Sequence, residues 1–191
     1  MAMTKMKLVR AENYLCFFAL LEMIMSDIGV SDMNQFSIAD FFEVVYPPGH
    51  SRTTKNYRFS DDSRQLGAHI DAIVLNDFFK ANEIHCSCTH IPANHICEFT
   101  FDDMLSGIVK AGNYAIVAFS YGALNNDSET YEIGHVGLVQ RILSPDAVEV
   151  YDPGPKGDGH KIVSILSLFD AMRCRNGGIY LITTHQQNSV T

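Results

Sequence analysis

The stretch from Tyr14 to Ile28 is apolar almost all round, interrupted only by Glu22, Ser26 and Asp27. A helix that is hydrophobic on every side has no face to give to water, so it must lie in the middle of the fold with other elements packed around it. Gly29 supplies a stop for it. At its other end Asn13 is a good N-cap residue, which predicts Tyr14, Leu15 and Cys16 in the first helical turn. Unpaired N–H groups and the positive end of the helix dipole stabilise an anion there. A thiolate is such an anion; cysteines in this position act as nucleophiles, and the same N–H groups can receive the oxyanion formed when the thiolate attacks a carbonyl. Free cysteine is also among the most buried residue types, so Cys16 carries chemistry only if a partner elsewhere in the chain reaches it.

The chain has 191 residues, 47% hydrophobic and 19% charged, enough to bury the core of one globular domain over residues 1–191. Fourteen basic against twenty-two acidic residues, with no Lys/Arg cluster, exclude a nucleic-acid partner, because phosphate binding needs a basic surface. Lys5, Lys7 and Arg10 precede the apolar run as they would in a signal peptide, but Glu22 interrupts the run and no small-residue cleavage site follows. Glu22 and Asp27 equally exclude a membrane span, which needs about 20 apolar residues. Five cysteines, an odd number without framework spacing, fit reduced thiols and a cytoplasmic location. Secretion without a cleaved signal would leave no mark of this kind.

Further along, Ser37 to Val45 reads as a second helix capped by Ser37 and ended by Pro47-Pro48-Gly49. His50 to Gly67 is polar, mixed in charge and aperiodic, a long surface loop. Ala68 to Asn82 carries Ile70, Ile73, Val74, Leu75, Phe78 and Phe79 at helical spacing. His85, Cys86, Cys88, His90, His95 and Cys97 are six potential metal ligands, but Cys-x-Cys in an extended run is poor zinc spacing. Ile84 to Ile91 instead predicts a strand whose alternation turns neighbouring ligands to opposite faces, so no metal is expected. A helix over Phe101–Lys110 and a buried strand over Tyr114–Phe119 come next. Val136–Ile142 and Ala147–Tyr151 then form an antiparallel hairpin, ended by Asp152-Pro153-Gly154-Pro155. Ser164 to Arg173 is helical, Ile179 to Thr183 is a last strand, and the polar tail from His185 is expected to fray.

Gly134-His135 opens the first strand of that hairpin and Asp152 closes the second. With the turn centred between Ser144 and Pro145, His135 falls opposite Gly154 and Asp152 opposite Gly137, one diagonal step apart and within side-chain reach. An imidazole oriented by a carboxylate is the base of a nucleophilic triad, lacking only a nucleophile. Singly, His135 is an ordinary strand residue and Asp152 an ordinary turn former before proline.

Together, a cysteine at a helix start, Gly134-His135-Val136-Gly137-Leu138-Val139 and Val148-Glu149-Val150-Tyr151-Asp152-Pro153 resemble the papain-like cysteine peptidases. The branch they resemble most is the bacteriocin-processing peptidases that cut after double-glycine leaders. The resemblance spans Asn13 to Ile182 and implies an α+β fold, N-terminal helices packed on an antiparallel sheet with a central helix bearing Cys16. It implies Cys16 as nucleophile, His135 as general base and acid, and Asp152 as the residue orienting His135. That branch carries a glutamine six residues before the cysteine to help form the oxyanion hole; Arg10 stands there in this chain. The Asn13 amide is the expected substitute, beside the Cys16 backbone N–H. The implied chemistry is hydrolysis of a peptide or amide bond without a cofactor, and no phosphate-binding glycine loop is present. The same residues would serve an acyltransferase passing the acyl group to an amine, and the departures from the pattern would suit an inactive binding module. Asp152→Asn is expected to lower activity without lowering stability.

Overall fold

A computed structural model describes residues 6–154 and 159–185. The helix α1 (Cys16–Asp27) buries Phe17, Phe18, Leu20, Leu21, Met23 and Ile24 on all sides, as its composition requires. It ends in a Schellman arrangement: Gly29, at φ +88°, donates to the Ser26 carbonyl at 3.2 Å, and Val30 to that of Met25 at 2.8 Å. Its start differs from the expected one. Asn13 is not the N-cap; Leu15 is, without a side-chain cap bond, and Cys16 is the first helical residue. Leu15 N–H donates to the Glu12 carbonyl at 3.0 Å, closing a turn in which Tyr14 takes a left-handed φ of +70°. Tyr14 is held there by edge-on contacts with the rings of Tyr46 (5.7 Å) and His50 (5.4 Å). Distant aromatic packing therefore overrides the local capping preference of Asn13.

The second helix is shorter than expected and starts earlier. In α2 (Gln35–Ala39) the cap is Asn34, in a reciprocal capping box with Ser37. The β-branched pair Val44-Val45 joins a strand, β1 (Val44–Tyr46), rather than extending the helix. Within the polar stretch His50–Gly67 lie two short strands, β2 (Tyr57–Phe59) and, ending just past it, β3 (Gly67–Ala68), which flank β1 in a small sheet. Both were too short to show a period. The helix α3 (Ala72–Ala81) starts later than expected because Asp71 caps it, its carboxylate accepting the Ile73 N–H at 2.7 Å.

The main sheet has six strands, all antiparallel, in the order β4-β9-β5-β6-β7-β8. They are β4 (Cys86–Pro92), β5 (Tyr114–Ser120), β6 (Gly134–Ser144), β7 (Ala147–Asp152), β8 (Gly159–Ser164) and β9 (Gly178–Thr184). The helices α4 (Phe101–Lys110), α5 (Tyr121–Asn125) and α6 (Ile165–Cys174) complete the order. Alternation along the strands feeds two cores. Ile116, Leu138 and Ile182 pack with α1, while Val117, Val139 and Ile179 pack with Phe101 and Leu105 of α4 and Phe169 and Met172 of α6. The sheet is thus covered by helices on both faces, with α1 the central helix of the larger core. Strand β8 had no counterpart among the expected elements, and the polar tail beyond His185 lies outside the described residues.

Phe18 is fully buried and Ile73 is 71% exposed. Phe18→Ala should therefore lower the free energy of unfolding by about 3–5 kcal/mol, and Ile73→Ala should change it by less than about 0.5 kcal/mol, both read by urea denaturation with unchanged m. A small loss at Phe18 would contradict the central placement of α1.

Candidate active site

The site forms where β5 and β7 end and β6 begins, against the first turn of α1. His135 is the register partner of Phe119, so the imidazole stands at the end of the sheet. Its Nε2 lies 2.6 Å from Asp152 Oδ1, and the Cys16 sulfur is near enough to the ring to favour its protonated form. With Nε2 taken by the carboxylate, Nδ1 is the nitrogen left for the sulfur. Cys16, His135 and Asp152 are therefore brought together at one place, the carboxylate hydrogen-bonded to the imidazole and the sulfur beside it.

The hairpin register behind this contact has an unexpected origin. Leu138 faces Tyr151 and Val139 faces Val150, and continuing that offset sets Asp152 beside Gly137 and His135 beside Gly154, as expected. The turn, however, is one residue later than expected, with Ser144 paired to Ala147. Register shifts between Val139 and Arg141 and between Ile142 and Ser144 each absorb one residue and restore the offset.

Several contacts that hold this arrangement had no signal in the sequence. Asp152, with its side chain 4% exposed, also accepts the Gly154 N–H at Oδ1 (2.9 Å) and the Lys161 ammonium at Oδ2 (2.8 Å). A Cβ on Gly154 would lie 2.9 Å from His135 Cε1 and 3.0 Å from Asp152 Oδ1, so only glycine fits beside the pair. The rings of Phe119 (5.6 Å) and Tyr121 (5.4 Å) meet the imidazole at near-perpendicular angles and fix its plane. Ser120 places Tyr121 by capping α5, its hydroxyl accepting the Ala123 N–H at 3.2 Å.

Burial works against charge on His135, but the Asp152 carboxylate and the Cys16 sulfur outweigh it and raise the imidazole from its ordinary 6.5 to about 9. Burial likewise pushes the Asp152 carboxyl up, and against it His135, Lys161 and the Gly154 N–H hold the group well below the usual carboxylate range. Both shifts favour the charged forms, an imidazolium beside a carboxylate.

A cleft of about 830 Å³ opens over the thiol and imidazole, lined among others by Asn13, Leu66, Ile70, Ile133 and Tyr180. Asn13 is exposed at this cleft beside Cys16. Gln35 is no oxyanion donor: its amide is spent on the preceding segment, Oε1 accepting the Glu12 N–H (2.9 Å) and Nε2 donating to the Arg10 carbonyl (3.0 Å). Cys86, Cys88 and His90 lie on β4 and do not line the cleft, with His90 stacked at 4.5 Å on Tyr180 of the lining. Among the described residues no group of three His, Cys, Asp or Glu side chains could hold a metal ion, and no helix is long and apolar enough to cross a membrane.

No protein-family profile matches the sequence, and no curated protein matches it. Among solved structures, a candidate C39-like peptidase from Bacillus anthracis superposes with a TM-score of 0.63 over 96% of each chain, at 11% identity. The chain has the C39-like, papain-like α+β fold, with helices and an antiparallel sheet arranged as in that protein.

Two substitutions test the site's construction. Asp152→Asn, expected from sequence to spare stability, should instead cost on the order of 3 kcal/mol, because the buried carboxylate answers two cations. Gly154→Ala should leave the fold intact and displace the imidazole, seen as a shifted His135 ring resonance. The pH dependence follows from both groups. The raised imidazole stabilises fully below 6.5 and loses its contribution as pH rises through about 9. The lowered carboxyl stabilises above 3.8 and loses its contribution only as pH falls through its depressed value. The stability difference between the wild type and His135→Gln should therefore be largest between pH 3.8 and 6.5 and shrink toward pH 9.

Proposed function

We propose that this protein is a thiol-dependent hydrolase of the cysteine-peptidase type, acting on a peptide or amide bond through Cys16, His135 and Asp152. The observation that carries the reading is the thiol–imidazole–carboxylate line opening into a cleft, with the thiol on the first residue of a buried helix. The Cys16 thiolate attacks the scissile carbonyl, and backbone N–H groups at the start of α1, with the Asn13 amide, receive the oxyanion. His135, as imidazolium, gives its proton to the leaving amine. Water then enters, His135 takes a proton from it, and the acyl-enzyme is released as a carboxylic acid. Asp152 holds the imidazole with Nε2 turned inward throughout, without itself being protonated.

An extended peptide suits the open cleft, and within the papain-like fold the resemblance of the Gly134–Val139 and Val148–Pro153 segments favours the bacteriocin-processing branch. Five unpaired cysteines support a cytoplasmic location, and the net charge of −8 disfavours nucleic acid. We take residues 1–191 as one catalytic domain.

The test is competitive alkylation. Burial pushes the Cys86 thiol up to about 11 and the Cys88 thiol up to about 12, which leaves Cys97 and Cys174 as the exposed competitors. Substoichiometric iodoacetamide near pH 6 should label Cys16 at least about tenfold faster than either, by peptide mass mapping. Cys16→Ala should abolish release of product from a peptide library. Equal labelling of the exposed cysteines would sink the hydrolase reading and leave a binding module. Amide rather than acid products when amine acceptors are added would reassign the chemistry to acyl transfer.

A further inference from the structure

Strand β8 brings a charged side chain to the site that the mechanism above does not use. Lys161 pairs in register with Val150, and from there its ammonium reaches across to Asp152 Oδ2 at 2.8 Å. The same ammonium stands 5.5 Å from the centre of the Tyr121 ring, which meets the His135 ring at a near-perpendicular angle. Lys161, Asp152, His135 and Tyr121 thus close a ring of contacts around the back of the imidazole. Resting on the hydrolase reading, we infer that Lys161 is a positioning residue that fixes the Asp152 carboxylate with Oδ1 toward His135 and moderates its pull on the imidazolium proton.

Orientation and charge both follow from the geometry. A carboxylate bonded at one oxygen only can rotate about its Cβ–Cγ bond. Here one oxygen is committed to Lys161, and the other is shared by His135 and the Gly154 N–H, so rotation would break bonds at both ends. A lone buried carboxylate would also bind the imidazolium proton too tightly for easy donation to a leaving amine. A cation on its far oxygen offsets part of that attraction. The groups facing His135 are Cys16 from α1, Asp152 from β7, Tyr121 from α5 and the uncharged Phe119 from β5. Lys161 from β8 acts through Asp152, and at the start of β6 the Arg175 guanidinium lies over Gly134 and donates to the Glu132 carbonyl.

The experiment uses the full chain and follows the His135 imidazole by NMR against pH, with kcat and KM for a cleaved peptide alongside. Lys161→Met should raise the imidazole midpoint by about 0.5–1 pH unit and lower kcat about tenfold at unchanged KM. Lys161→Gln, which can still donate to Oδ2 without charge, should raise the midpoint as much while losing less of kcat than Lys161→Met, since only the orienting bond is kept. Lys161→Arg should return the midpoint to the wild-type value. A midpoint that stays or falls in both uncharged variants would overturn the inference, as would one that Lys161→Arg fails to restore. The NMR titration needs no turnover, so it decides on Lys161 even where alkylation has refuted the hydrolase reading.

Discussion

A carboxylate with its side chain 4% exposed is expensive to bury, and Asp152 is the group around which the rest of the site is arranged. Removing an ion of that size from water costs several kcal/mol even after relaxation, so it persists only where opposite charge and donors converge on it. The chain supplies them from three directions: the imidazolium from β6, the ammonium from β8 and the Gly154 N–H from the turn that follows β7. Each requirement then propagates outward. The imidazole needs the hairpin offset, the ammonium needs an outer strand paired to β7, and the N–H needs a glycine where any Cβ would touch the ring.

The Cys16 thiol comes from the other side of the molecule by a separate route. Helix α1 belongs to the core that includes Ile116, Leu138 and Ile182, whereas Phe119, the register partner of His135, belongs to the core built on α4 and α6. The thiol and the imidazole are therefore held by opposite faces of one sheet and meet at its end. This arrangement makes their separation depend on how α1 seats on the sheet, and a helix apolar on all sides has little freedom to slide once Phe18, Leu21 and Ile24 are enclosed.

What could be read from the residues alone follows the range of the forces involved. The burial of α1, the helix Phe101–Lys110 and the hairpin carry their own local periodicity, and all three are present in the structure, the hairpin with its turn one residue later. The meeting of His135 with Asp152 was also legible, although the count that predicted it used a turn one residue early. Two bulges compensated, and nothing in Gln140 or Leu143 announces a bulge. The start of α1 was misread because Asn13 is a better cap than Leu15 by intrinsic preference, whereas the decision is made by Tyr46 and His50 gripping Tyr14. Lys161 was invisible for a similar reason. Its strand alternates half-buried and exposed residues without an apolar face, and its role appears only once β8 lies beside β7.

The departure at Arg10 can be understood in the same terms. In the double-glycine-leader branch proposed above, that position provides a side-chain amide to the oxyanion hole. Here the segment before the cysteine is fixed by its backbone instead, with the Gln35 amide bridging the Arg10 carbonyl and the Glu12 N–H, and the Ala11 N–H donating to the Pro153 carbonyl at 2.6 Å. The last of these bonds ties the segment preceding Cys16 to the residue next to Asp152. A backbone so clamped presents the turn Glu12–Leu15, and with it Asn13, at a fixed place beside the thiol. The Gln35 side chain is then a structural substitute for the strand-like order that this segment lacks, and Asn13 is left as the amide free to face the cleft.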